Sequence, residues 1–138
     1  MAPESSELTK ELIKLATSVT APRGTVLFRC GEAVTGVYIV QRGVVRMSLE
    51  APHCEFADRE LGPGEIAGLP ATLTGSYSLS AEVTEDAELG FVPADSVSGA
   101  LECSPHLCFA AMRVIGEEIA RTRAGLRENM PELLREAD

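Results

Sequence analysis

Basic residues are scarce in this chain, with twelve lysines and arginines against twenty-one aspartates and glutamates, a formal charge of -9. Such a balance repels phosphate backbones and anionic lipid surfaces, so direct DNA binding by this chain is not expected. Also missing is any run of about eighteen apolar residues, the length needed to span a bilayer. The first residues, Met1-Ala2-Pro3-Glu4-Ser5-Ser6-Glu7, lack the basic start and apolar stretch of a secretory signal. A cytoplasmic protein without a membrane segment is expected. Two histidines, no GxSxG nucleophile motif and no GxxxxGK[ST] phosphate loop leave no catalytic constellation, so no enzyme is expected. Four cysteines, Cys30, Cys54, Cys103 and Cys108, form neither a CxxC pair nor a dense framework. They read as free, partly buried thiols, and no metal or cofactor is expected. No stretch rich in Gly, Ser or Pro divides the chain, and its 138 residues suit one compact domain, 1–138.

What is present is a change of period. Leu8, Leu12, Leu15, Ala16 and Val19 recur at spacings of three and four, which predicts an N-terminal helix within 1–20, ending before Pro22-Arg23-Gly24. From 24 to 92 the pattern is of strands. Thr25 to Arg29, Gly36 to Gln41, Val44 to Leu49, Phe56 to Leu61, Leu79 to Val83 and Glu88 to Val92 are short runs separated by glycine, proline or acidic segments, with Thr84-Glu85-Asp86 as a turn. A mainly β fold with flanking helices, a jelly-roll-like double-stranded β-roll, is predicted. Helical period returns over 93–138, first from Asp95 or Ser96 and then from Ser104-Pro105, a serine cap followed by a proline at the first helical position. Met112, Ile115, Ile119, Thr122, Leu126, Asn129 and Leu133 follow a heptad-like seam, from which Met112, Ile115, Ile119 and Leu126 are predicted to form a homodimer interface. Pro131 should end or kink this helix near Glu128 to Met130.

Several segments carry a family resemblance. Gly24-Thr25-Val26-Leu27-Phe28-Arg29-Cys30-Gly31-Glu32, then Gly36-Val37-Tyr38-Ile39-Val40-Gln41-Arg42-Gly43-Val44-Val45-Arg46-Met47, resemble the opening half of a cyclic-nucleotide-binding domain of the catabolite activator and FNR regulators. Leu61-Gly62-Pro63-Gly64-Glu65-Ile66-Ala67-Gly68 resembles the opening of that family's phosphate-binding cassette. Ser80-Ala81-Glu82-Val83 through Glu88-Leu89-Gly90-Phe91-Val92 looks like the strand pair that follows, and Ser104-Pro105-His106-Leu107 like the start of its long C-terminal helix. The likeness runs from about Leu12 to Leu126.

The resemblance implies a pocket in which short-helix amides meet a cyclic phosphate, a glutamate holds the ribose and an arginine neutralises the phosphate. Carried over, the glutamate position falls on Leu69 and the arginine position on Tyr77, followed by Ser78. Both charges are absent, and Pro70 removes an amide. The implied ligand-binding set is Gly64, Glu65, Gly68, Leu69, Thr72, Tyr77, Ser78 and Thr122, although a turn or capping role suits Glu65 and an outward position suits Arg46. Thr122 is either a base-contacting residue or a polar member of the helix seam.

A sensor of a small ligand other than a tightly bound cyclic nucleotide is therefore expected, with no catalytic or metal-ligating residue. The alternatives are a ligand-free dimerisation or protein-interaction module, and a haem or redox sensor using His53, Cys54, His106 or Cys108. The family's transcription factors carry a helix-turn-helix after the long helix, whereas this sequence reaches only Asp138. A complete chain would need a protein partner to read its state; a fragment would be the sensor part of a Crp/Fnr-type regulator.

Overall fold

The first helix is shorter than its apolar spacing predicts. In the computed structural model, which describes residues 3–51 and 54–129, α1 spans Pro3–Ile13 and gives way to strand β1, Thr17–Ala21. The prediction of helix up to Val19 is thus corrected. Thr17, Val19 and Thr20 are β-branched, stiff at χ1 and better accommodated on a pleated surface. They pair with the last long strand in the register Thr17↔Phe91 to Ala21↔Ala87. Leu8 and Leu12, one turn apart, are completely buried and anchor α1.

The remaining elements are β2 (Val26–Phe28), β3 (Gly36–Ala51), β4 (Cys54–Leu61), β5 (Ile66–Ala67), α2 (Ala71–Thr74), β6 (Ser80–Pro93), α3 (Ala94–Cys103) and α4 (Pro105–Asn129). The strands form one antiparallel sheet in the order β1-β6-β3-β4, with β2 also on β6 and β5 also on β3. With its flanking helices and long final helix this is the β-roll. Ser104 caps α4 as expected, its Oγ accepting the Leu107 amide at 3.3 Å. The predicted stop near Pro131 lies outside the described residues.

Two predicted breaks are not breaks. Gly36–Gln41 and Val44–Leu49 are one strand, and Thr84-Glu85-Asp86 lies inside β6 instead of forming a turn. The β3–β6 register shifts between Val40 and Val45, so the irregularity is absorbed as bulges. Gly43 has φ +94°, and a Cβ there would sit 2.5 Å from the Asp86 carbonyl oxygen. Glycine is required both for the dihedral and for the approach of the neighbouring strand.

The bulge changes which face of β3 is which. Before it, odd-numbered Val37 and Ile39 point to the helices, where they pack with Leu8, Leu12, Leu107 and Ile115. After it, odd-numbered Val45 and Met47 point into the roll with Phe28, Leu61, Leu79 and Leu89. Side chains alternate strictly along a regular strand, so this inversion needs an irregular residue count. Gly31 also has a positive φ, +92°, but a Cβ there meets nothing within 4 Å. Gly43→Ala should therefore destabilise by about 3 kcal/mol and Gly31→Ala by about 1 kcal/mol. Urea unfolding of the two variants measures the difference, and equal losses would remove the role given to the bulge.

Candidate ligand site

The roll is open at one end, and α4 lies across the opening. Between them is a cavity of about 290 Å³. Its roll side is made by Phe28 of β2, Met47 of β3, Gly68, Pro70 and Ala71 around the start of α2, and Tyr77, Ser78 and Leu79 just before β6. Its helix side is made by Glu118, Ile119, Thr122, Arg123 and Leu126.

An aromatic pair builds the roll wall. Phe28 and Tyr77 stack with ring centroids 3.7 Å apart and planes within 7°. Gly68, at φ +93°, lets the chain pass: a Cβ there would stand 2.9 Å from the Tyr77 ring. The Tyr77 hydroxyl is engaged by the backbone at the start of β3. It donates to the Gly36 carbonyl at 2.7 Å and accepts the amides of Thr35 and Gly36, each at 3.2 Å. Tyr77 thus sets the start of β3 instead of presenting a polar group.

Of the predicted ligand residues the structure brings together Gly68, Tyr77, Ser78 and Thr122. It places the others elsewhere. Leu69 is completely buried among the helix-side core residues, because an aliphatic side chain at this point gains more from that layer than from a wet cavity. Thr72 donates its hydroxyl to the Leu69 carbonyl at 2.7 Å within its own turn and does not line the cavity. Glu65 closes a turn by accepting the Gly62 amide at 3.0 Å, and the Gly64 carbonyl accepts the Thr9 hydroxyl at 2.8 Å. Both belong to the β4–β5 turn. Thr122 donates to the Glu118 carbonyl at 3.1 Å, so it is at once a seam residue and a wall residue.

The backbone amides of α2 are engaged within their own turn. The amides of Ala71 and Thr72 already donate to Gly68 and Leu69, those of Leu73 and Thr74 to Pro70, and Pro70 has none. Arg46 is exposed and paired with Glu82 at 3.1 Å.

Sequence reasoning missed Glu118. It lies on the buried stripe of α4 with Leu107, Ala110, Ala111 and Ile115, and an acidic residue at that spacing was the available signal. Glu118 Oε1 accepts from Arg59 of β4 at 2.5 Å, with the two side chains only 4% and 15% exposed. Burial pushes the Glu118 carboxyl above its usual range, the Arg59 charge pulls it down, and Asp58 pushes it further up. Both Asp58 carboxylate oxygens, Arg59 Nε and Glu118 Oε2 are buried without hydrogen-bond partners.

The predicted dimer residues separate onto two faces. Ile115 is corrected: it is buried at 6% exposure in the helix-side core of its own chain, three residues before Glu118. Met112 and Ile119 are exposed, and Phe109, not predicted, is the most exposed of the three at 67%. Leu126 is half-buried at the cavity. Among the residues offered for haem or redox chemistry, His106 bonds Glu7 at 2.6 Å on the surface and Cys108 is a free, half-buried thiol. His53 and the Cys54 side chain lie outside the described residues. Among the described residues no group of three or more His, Cys, Asp or Glu side chains is arranged to hold a metal, and no helix is long and apolar enough to cross a membrane.

Residues 18–103, well over half of the chain, match the model of the cyclic nucleotide-binding domain. The chain belongs to that family. Two solved structures show the same fold. One is the catabolite activator protein of Thermus thermophilus, with TM-score 0.73 and 24% identity over 91% of this chain and 59% of that one. The other is the c-di-GMP-responsive global regulator CLP of Xanthomonas campestris, with TM-score 0.71 and 18% identity over 88% and 63%. The cAMP-bound EAL enzyme Bd1971 is similar at 27% identity and TM-score 0.64, over 79% of this chain and 29% of that one. A comparison with proteins of curated function gives no match. This cyclic nucleotide-binding domain spans about three fifths of the length of the first two structures.

The buried ion pair gives a signed expectation. Because the folded-state value of Glu118 lies above its unfolded one, the folded protein holds the proton longer, and stability falls as pH rises from the ordinary carboxylate range through the raised value. Glu118→Gln should flatten this fall in urea titrations across that window. Arg59→Met, which strands Glu118 and Asp58 together, should lose about 3 kcal/mol at neutral pH. A steeper pH dependence in the glutamine variant, or a neutral Arg59→Met, would contradict this account.

Proposed function

We propose that this domain is a non-enzymatic sensor that binds a small, largely apolar ligand between the roll and α4 and passes its state on through a homodimer. The observation that carries the reading is the cavity itself. It stands where α4 meets the open end of the roll, and its wall of Phe28, Met47, Ala71 and Leu79 carries no cation on the roll side. Pockets of this kind, apolar with few polar groups, are the usual form of small-molecule sites. The family supports a ligand-binding role, and Bd1971 is a relative described in cAMP-bound and cGMP-bound forms. Tight binding of the same ligands here is not favoured, because Leu69 and Tyr77 offer no charge and Pro70 no amide.

Losing two charge-assisted hydrogen bonds, each on the order of 1.5–3 kcal/mol, weakens binding by roughly 10²–10⁴-fold. Calorimetry with cyclic AMP and cyclic GMP should accordingly give no binding in the micromolar range. Micromolar or tighter affinity for either would overturn the reading.

The dimer rests on the outer face of α4. Phe109, Met112 and Ile119 are exposed in the protomer at spacings of three and seven, with Gly116 between the last two. This is a stripe on which a second copy of the helix can pack closely. Met112→Glu leaves the cavity wall untouched and should convert a dimer to a monomer in sedimentation, since pairing would bury an unmatched carboxylate. A wild type that stays monomeric at high concentration would remove the dimer.

The named relatives CLP and the Thermus protein are regulators, which favours a second reading in which this domain is the sensory part of a longer gene regulator. In either case it does not itself contact DNA.

A further inference from the structure

We infer that Asp58, Arg59 and Glu118 form a proton-operated latch, which holds the second half of α4 against β4 and releases it as the proton is lost. The inference goes beyond the ligand-sensing reading and stands whether or not a ligand binds. The two halves of α4 are held differently. Leu107, Ala110, Ala111 and Ile115 are buried in the helix-side core. Among the described residues past Gly116 only Glu118 is buried, with Thr122, Gly125 and Leu126 half-buried. Gly116 itself divides the halves: a Cβ there would meet nothing within 4 Å, and glycine is a poor helix former. Two contacts dock the second half on β4. Glu118 Oε1 accepts from Arg59 at 2.5 Å. About two turns further on, Gly125 receives the Phe56 ring, since a Cβ at that position would stand 2.5 Å from it. Phe56 and Arg59 share one face of β4 because the β3–β4 register passes from Met47↔Arg59 to Ser48↔Ala57 and leaves Asp58 as an extra, unpaired residue. The bulge that aligns the two contacts thus sets a second carboxylate beside the ion pair.

Docked, two carboxylates share one guanidinium away from water. Both Asp58 oxygens, Glu118 Oε2 and Arg59 Nε are buried without a hydrogen-bond partner. Two negative charges against one positive are costly in such a place, and a single proton on either carboxylate removes the excess. Once the helix lifts, the same carboxylates meet water and need no proton. Docking therefore takes up a proton, and linkage makes it weaker as pH rises. The raised titration of Glu118, caused first by its burial, has the same sign. Of the other groups around Glu118, Arg121 and Arg123 of α4 are exposed and screened by water, and Met47, opposite Arg59 on β3, carries no charge. Because Glu118, Ile119, Thr122, Arg123 and Leu126 form the helix side of the cavity, release of this half opens it.

Amide hydrogen exchange of the full chain, read by mass spectrometry between about pH 5 and about pH 8 and corrected for intrinsic rates, tests the latch. Protection of residues 119–126 of α4 should fall with rising pH by up to about tenfold per unit, the effect of one linked proton, while that of residues 107–115 holds. Asp58→Asn keeps the shape of the side chain and leaves one carboxylate for one guanidinium. It should flatten the fall and raise protection of residues 119–126 at the alkaline end by about tenfold or more. Protection of this segment that ignores pH, a loss shared equally by residues 107–115, or an Asp58→Asn profile identical to that of the unmodified chain would overturn the inference. Should the asparagine variant unfold, the contrast between the two halves in the unmodified chain still decides. No ligand is added, so failure of the latch leaves the ligand-sensing reading untouched.

Discussion

The pairing of β3 with β6 is the contact on which everything else hangs. These two strands run side by side from Gly36↔Pro93 to Ser48↔Ser80, and every other described strand attaches to one of them. A regular pair of this length would have one face to the roll and one to solvent or helices throughout. The shift around Gly43 ends that constraint. Its left-handed backbone and missing Cβ let β3 turn its apolar residues from the helix layer to the roll interior in the space of a few residues. Two cores are thereby stitched by one strand, and the open end of the roll is brought under α4.

The family's architecture is kept here, while the side chains at two expected contact positions differ. The turn at Gly68 and the short α2 remain, but the position expected to carry an arginine holds Tyr77, whose hydroxyl is consumed by the Thr35–Gly36 backbone. Leu69, at the position expected to carry an acid, has left the cavity for the helix-side core. An acid, Glu118, stands in the cavity wall on the opposite side, on α4, with its carboxylate buried against Arg59 of β4. Buried ion pairs of this kind are poor sources of net stability, because desolvation offsets most of the attraction. With Asp58 beside it, this one is under-compensated as well.

Much of this was legible in the residues. The glycines at positions 24, 31, 43, 64 and 68, within the segments that carry the family resemblance, all have positive φ, and Ser104-Pro105 opens a helix as its capping chemistry requires. What was not legible has physical causes. Gly43 and Thr84-Glu85-Asp86 satisfy turn chemistry, but they satisfy bulge chemistry equally, and only strand pairing chooses between them. Val19 fits a helical stripe by spacing and a strand by its β-branch, and the β1–β6 ladder settles the matter. Ile115 and Phe109 could not be assigned to inner or outer faces because α4 is apolar on two sides. The cavity wall was half visible: its glycine and hydroxyl residues came from motif position, whereas Phe28, Met47 and Glu118 arrive from strands and a helix distant in sequence.

The two sides of α4 are not independent. Glu118 and Thr122 line the cavity, Phe109 and Met112 are exposed away from it, and Ile119 touches both settings, lining the cavity while remaining 58% exposed. A molecule seated under the helix and a second chain laid against it would then act on the same helix. Where the two events are coupled, reciprocity requires that each alter the affinity of the other by the same factor. The dose of ligand needed for a response would depend on how much of the protein a cell makes, so that expression level would become a means of setting the sensor's threshold.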